Sequence, residues 1–278
     1  MKNGFMKMIF GMLGFLILAA CGNTSGSANS AATEKSSALQ EIKDSGKLIV
    51  GTSADYPPYE WHLVQDGEDK IIGFDIDIAQ AVADELDVEL EVVDMDFDGL
   101  IPALSTGKID MVIAGMNPTE ERKQSVAFTD IYFTQKDVLV IKSEDAEDIR
   151  SEDDLKKASV ATQKATIQET YLLENFPDAE IKAVPKLNTA VLYLVTGKAD
   201  AVLMVETVGK RYVEENEGLE IADFDVASTP NESAIAVAKD SEDFLDAVND
   251  ILDEMEDSGQ IEELIRTNIE IMDENTVE

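Results

Sequence analysis

The chain is short of the residues most catalytic chemistry needs. It holds one cysteine, one histidine and one tryptophan in 278 residues. A single cysteine, Cys21, excludes an internal disulfide. A single histidine, His62, excludes a His-rich zinc site and leaves no convincing Ser/His/Asp or Cys/His arrangement. His62 stands beside Trp61 and reads as an ordinary strand or loop residue without a role. Cations are scarce too. Lys and Arg number 22 against 58 Asp and Glu, for a formal net charge of −36. Nucleic acids and anionic lipid surfaces both demand clustered positive charge, so neither is an expected partner. The acidity reads as a solvated surface that keeps the protein soluble. The apolar run Met8 to Leu18 is too short to span a bilayer.

What is present begins with an address. Lys2 and Lys7 precede that apolar run, which ends in Leu18-Ala19-Ala20-Cys21. Charge, then an apolar stretch, then small residues is the order of a secretory signal. The last four residues resemble a bacterial lipobox, which implies acylation of Cys21 and a signal peptide over 1–20. Residues 21–38, rich in Ser, Asn, Thr, Ala and Gly, lack apolar periodicity and read as a flexible tether. The remainder can bury a sizeable core: the chain is 44% hydrophobic and 29% charged.

The body alternates strands with helices. Leu48 to Thr52 is a buried strand, and Ala54 to Tyr59 is loop because Pro57 and Pro58 cannot donate to a ladder. A helix runs from Gly73-Phe74-Asp75 to about Leu86, with Asp75 as its expected N-cap. A strand follows over Val88 to Asp94, then a helix over Asp98 to Thr106 closed by Gly107, then a strand over Met111 to Ala114. Such alternation implies an α/β class with a largely parallel sheet. Glu242 to Met272 is helical, broken at Gly259. One echo stands out: Leu104-Ser105-Thr106-Gly107-Lys108-Ile109-Asp110-Met111-Val112-Ile113 against Leu194-Val195-Thr196-Gly197-Lys198-Ala199-Asp200-Ala201-Val202-Leu203. Each reads as a helix end, a Gly cap, an Asp and a buried strand. Two similar lobes are expected, with a ligand cleft at the carboxyl ends of the strands.

Four segments in order then resemble the polar amino-acid family of bacterial extracellular solute-binding proteins (family 3). They are Ser53 to Glu60, Gly73 to Asp77, Met95 to Leu104 and Ala114 to Arg122, and the likeness spans about Leu39 to Ile265. The resemblance implies a two-lobe periplasmic-binding-protein-like fold with two crossing hinge segments. Lobe 1 would hold 39–132 and 233–278, lobe 2 would hold 137–228, and the hinges would be 133–136 and 229–232.

The same resemblance implies a pocket for a polar L-amino acid. Arg122, five residues after the polar Asn117, would fork onto the α-carboxylate near the start of a helix over Thr119 to Val126. From the residues alone it could equally be a surface arginine paired with Glu121. Gln163, Thr166 and Ile167 would approach the carboxylate from the other lobe, although Ala165 stands where Gly is usual and Thr166 could be a plain helix cap. Tyr56 and Phe97 would sandwich the ligand side chain, and Ala114, Gly115 and Met116 would line the turn whose carbonyls accept from the ammonium. The family's ammonium-binding acid falls on Val205 here, so Glu206 is the expected substitute, with a water or backbone carbonyls as the alternative. Ser53 stands where binders of basic amino acids carry an acid, which leans the specificity toward glutamine over Arg, Lys or His. Asp55 or Glu60 could still reach a cation.

The reading is of a lipid-anchored, extracytoplasmic receptor for a free amino acid, monomeric, serving an ABC permease and its ATPase. No cofactor, metal or enzymatic step is expected, and no membrane contact beyond the lipid. Two other classes stand behind it. One is a sensor docking on a separate signalling protein. The other is a small-carboxylic-acid lyase on the same fold, with Glu206 as its acid.

Overall fold

The computed structural model describes residues 37–228 and 230–275. The signal peptide, Cys21, the tether up to residue 36 and hinge residue Thr229 lie outside the described residues.

Lobe 1 opens with helix α1 (Ala38–Ser45), strand β1 (Lys47–Thr52), and the small antiparallel sheet β2 (Asp55–Tyr56), β3 (Glu60–Gln65) and β4 (Glu68–Ile72). It continues with α2 (Phe74–Glu85), β5 (Glu89–Asp94), α3 (Leu100–Ser105), β6 (Met111–Val112) and the long β7 (Val126–Gln135). Lobe 2 holds β8 (Asp137–Lys142), β9 (Ser159–Gln163), α4 (Ile167–Asn175), β10 (Glu180–Val184), α5 (Leu187–Val195), β11 (Ala201–Val205), α6 (Glu206–Glu215) and β12 (Leu219–Ile221). The chain then returns through β13 (Asn231–Ala238) to α7 (Glu242–Ser258) and α8 (Gln260–Glu274).

The lobe sheets match in plan: β5-β1-β6-β13-β7 and β10-β9-β11-β8-β12. In each, three strands are parallel and a fourth runs against them. The echo is the reason. Gly107 and Gly197 both take left-handed backbone (φ 68° and 70°), ending α3 and α5. Asp110 then accepts the Ile49 N–H of β1 at 2.9 Å, and Asp200 accepts the Ser159 N–H of β9 at 2.7 Å. One residue pattern thus locks the same strand pair in both lobes.

The crossings are better ordered than free links. Asn231, Glu232 and Ser233 pair with Gln135, Thr134 and Phe133, so β13 and β7 form one ladder through the expected hinge positions.

Three local expectations fail. Asp55–Tyr56, inside the expected loop, form β2 by pairing with β3. Gly73, with φ 136°, takes the N-cap position of α2, and no side chain caps that end. Asp75 instead turns into the core at 0% exposure. The expected helix over Thr119 to Val126 shrinks to a 3₁₀ turn, Arg122–Gln124, because β7 claims Val126 onward.

Candidate functional site

The lobes meet across a narrow, nearly closed cavity. Ser53, Tyr56, Phe97, Ala114, Gly115, Asn117, Gln163 and Thr166 line it, all of them expected there from sequence. Glu60, which sequence offered only as one of two acids able to reach a cation, also lines it, as do Gln168 and Asn231, which were not expected there.

On lobe 1, the Pro57-Pro58 loop turns an aromatic cluster under the cavity. Tyr59 packs on Tyr56 and Phe74 with ring centroids 5.2 and 4.5 Å apart. Gly115 sits against these rings with φ 54°, and a Cβ there would lie 3.3 Å from the Tyr59 ring. Only glycine suits both constraints, so the backbone itself forms the cavity wall. The Gly115 N–H donates to Asp75 at 2.9 Å, which fixes the orientation of this turn.

Arg122 is 9% exposed, so it is not a surface arginine. Its two terminal nitrogens donate to the Asn117 carbonyl at 2.7 Å and to the Ala165 carbonyl of lobe 2 at 2.8 Å. Its guanidinium lies 5.3 Å from the Phe97 ring centroid. Burial lowers its pKa to about 10, which keeps it charged at neutral pH. Arg122, Met116 and Ile167 border a wider groove at the mouth of the cleft, with Phe97 and Thr166 shared between the two spaces.

On lobe 2, the turn between β9 and α4 carries the departure from family pattern. Ala165 adopts φ 62°, a left-handed conformation usually left to glycine. Thr166 caps α4, accepting the Glu169 N–H at 3.2 Å while donating to the Gln163 carbonyl at 2.7 Å.

Glu206 is not brought to the cavity. It begins α6, is 32% exposed and pairs with Lys210 at 3.0 Å. A residue one step past a strand end has entered the helix, and its side chain leaves the direction held by Val205. Val205 itself is fully buried.

The acids that do converge are others. Glu60 is 1% exposed, and its Oε2 has no hydrogen-bond partner. Burial, then the neighbouring charges of Asp75 and Asp55, push its pKa well above the usual carboxylate range. Its carboxyl is hydrogen-bonded to that of Asp75. Asp75 is raised to about 7 by burial, against the donors Gly115 N–H and Tyr132 hydroxyl. Asp137 is 3% exposed and likewise raised by burial. Its Oδ1 accepts from Gln168 at 2.8 Å and Asn231 at 3.4 Å, while its Oδ2 has no partner. No periodicity singles out Glu60 or Asp137. The only sequence signal is an acid where the burial pattern asks for an apolar residue, one position before Trp61 and one before Val138.

Chemically, the cavity offers the unpartnered carboxylate oxygen of Glu60 and aromatic faces, with the Arg122 guanidinium at the bordering groove and the Asp137 carboxylate held behind the lining residues Gln168 and Asn231. It suits a small molecule with an anionic end and cationic groups.

Comparisons with known proteins agree in kind. The bacterial extracellular solute-binding proteins, family 3, match residues 48–270. The arginine-binding extracellular protein ArtP of Bacillus subtilis is 39% identical over 221 residues, 78% of this chain and 84% of ArtP. A probable histidine-binding protein of Campylobacter jejuni is 33% identical, over 90% of this chain and 93% of the relative. A crystal structure of the Streptococcus pneumoniae substrate-binding protein AbpA bound to L-arginine superposes with a TM-score of 0.81 at 35% identity, covering 84% of this chain and 98% of that one. By sequence match, fold and cleft together, the chain belongs to family 3 of the bacterial extracellular solute-binding proteins.

Proposed function

We propose that this protein is the lipid-anchored capture subunit of an ABC amino-acid importer, and that its ligand is a cationic L-amino acid, arginine foremost. The observation that carries the side-chain assignment is Glu60: a carboxylate buried in the cavity with an oxygen that has no partner. A buried charge is costly unless paired, so a guanidinium or ammonium entering this end gains what glutamine's neutral amide does not. The lean toward glutamine rested on the neutral Ser53, and Glu60 supplies the acid that Ser53 lacks. The arginine-binding relatives support the same choice.

Arg122 takes the α-carboxylate, with the turn at Ala165 and Thr166 closing from lobe 2. Tyr56 and Phe97 give the stem of the side chain apolar faces. The work we assign to the cleft is binding: Glu206, the acid a lyase would use, is not among the cavity-lining residues and pairs with Lys210. Cys21 carries the lipid, the importer's permease and ATPase are the partners, and the receptor acts as a monomer outside the cytoplasm.

Thermal-shift screening of the protein against the common amino acids tests this. A micromolar ligand at millimolar concentration stabilises the native state by about 4 kcal/mol. The largest shift is expected with L-arginine. A larger shift with L-glutamine contradicts the side-chain assignment.

A further inference from the structure

Two carboxylate oxygens are buried without partners among the described residues, and Glu60 accounts for one of them. The other is Oδ2 of Asp137, directly behind the cavity-lining Gln168 and Asn231, while the expected ammonium acceptor, Glu206, is paired with Lys210.

We propose that Asp137 accepts the α-ammonium of the ligand, from the strand position directly opposite Val205. The register carries the argument. On the antiparallel β8–β11 ladder, Asp137 is the Cα partner of Val205. Residues directly opposite project to the same face of a sheet, with Cβ atoms about 4.5–5.5 Å apart. An acid at 137 therefore stands next to the place an acid at 205 would take, and Val205 leaves its side free of competing charge.

The carboxylate is also aimed. Gln168 and Asn231, both lining the cavity, donate to Oδ1, and the Ser228 side chain is a further hydrogen-bond partner. These donors fix the plane of the group and leave Oδ2 for another. An ammonium brings three donors and no acceptor, which suits such an oxygen. Asn231 in turn accepts from Asn117 at 2.8 Å, so the acid is tied to both lobes at the floor of the cleft. The cavity-lining Tyr56 feels the charge of Asp137. Burial holds the carboxyl pKa up, as expected of an acid awaiting a cation.

The assignment rests on the reading of the ligand as an α-amino acid, not on which side chain it carries. Calorimetric titration with L-arginine and with its α-hydroxy analogue, which lacks only the ammonium, tests it. The wild-type protein should prefer L-arginine by roughly 100-fold. Asp137→Asn should weaken L-arginine by a similar factor and leave the analogue within a few-fold, so that the preference collapses. Glu206→Gln should bind as wild type. Asp137→Val combined with Val205→Asp, which moves the acid across the ladder, should recover at least tenfold over Asp137→Asn. Equal loss for both ligands in Asp137→Asn, or no loss for either, overturns the proposal. If L-glutamine binds and L-arginine does not, the cationic reading falls, and the same titrations with L-glutamine and its α-hydroxy analogue decide on Asp137. If no α-amino acid binds, both fall.

Discussion

The carboxylate of Asp55 on lobe 1 accepts the backbone N–H of Leu187, at the first turn of α5 on lobe 2. The Asn188 N–H adds a second bond at 3.3 Å, and the Tyr212 hydroxyl of lobe 2 donates to the Asp55 carbonyl at 3.0 Å. One residue of lobe 1 thus caps a helix of lobe 2 across the cleft. Two ion pairs also cross it, Lys164–Asp98 and Lys186–Asp94, each at 2.7 Å. All four side chains are part-exposed, and such pairs contribute about 0–1 kcal/mol each. The buried cap outweighs them. Asp55→Ala should cost the closed state about 1–2 kcal/mol, weakening ligand affinity by roughly five- to thirtyfold. Stopped-flow kinetics should place most of that loss in a faster dissociation rate. An unchanged dissociation rate would refute the latch.

The paired carboxyls of Glu60 and Asp75 make opposite predictions for stability and for binding. Both groups have folded-state pKa values above their unfolded ones, Asp75 rising from 3.8 to about 7. The folded protein therefore holds more protons than the unfolded chain between about pH 4 and 7. Their contribution to stability is fully present below that window and is lost as pH rises through it. The ligand-free melting temperature should be higher at pH 5 than at pH 8. A bound cation replaces the proton on Glu60, so affinity for L-arginine should fall as pH drops, by up to about tenfold per unit. Titrations in buffers of differing ionisation enthalpy would show the proton leaving. A pH-independent affinity contradicts this pairing.

Ala165 holds φ 62° in the turn whose carbonyl accepts from Arg122. A left-handed alanine costs about 1 kcal/mol relative to glycine. Ala165→Gly should raise stability by about that amount, or roughly 2–4 °C in melting temperature. Differential scanning calorimetry would register it, and a lower melting temperature would show that the turn gains more from alanine's stiffness than it loses to strain.

Much of the architecture was legible because its signals are local. Gly107-Lys108-Ile109-Asp110 and Gly197-Lys198-Ala199-Asp200 each combine a left-handed cap with a carboxylate on a neighbouring strand, and both were visible as a repeat. The Gly259 break between α7 and α8 was equally plain. Most of the expected lining residues meet at the cavity because they sit at strand ends or in the turns that follow. What sequence missed depends on contacts across long separations. Asp75 looked like an N-cap, yet its partners are Gly115 and Tyr132. Asp137 gains its meaning from Val205, a register that no local pattern encodes. Asp55 looked free to meet a cation, while its Oδ2 is taken by a helix 132 residues away and its Oδ1 by the Ser53 hydroxyl.

Capture of a cationic amino acid through Glu60 is the feature on which the proposed function turns. Isothermal titration of wild-type and Glu60→Gln protein with L-arginine and L-glutamine tests it most directly. The account predicts tight binding of L-arginine by the wild type, a loss of roughly 30-fold or more in Glu60→Gln, and little change for L-glutamine. Glutamine binding that exceeds arginine binding in the wild type, or arginine affinity unmoved by Glu60→Gln, would contradict it.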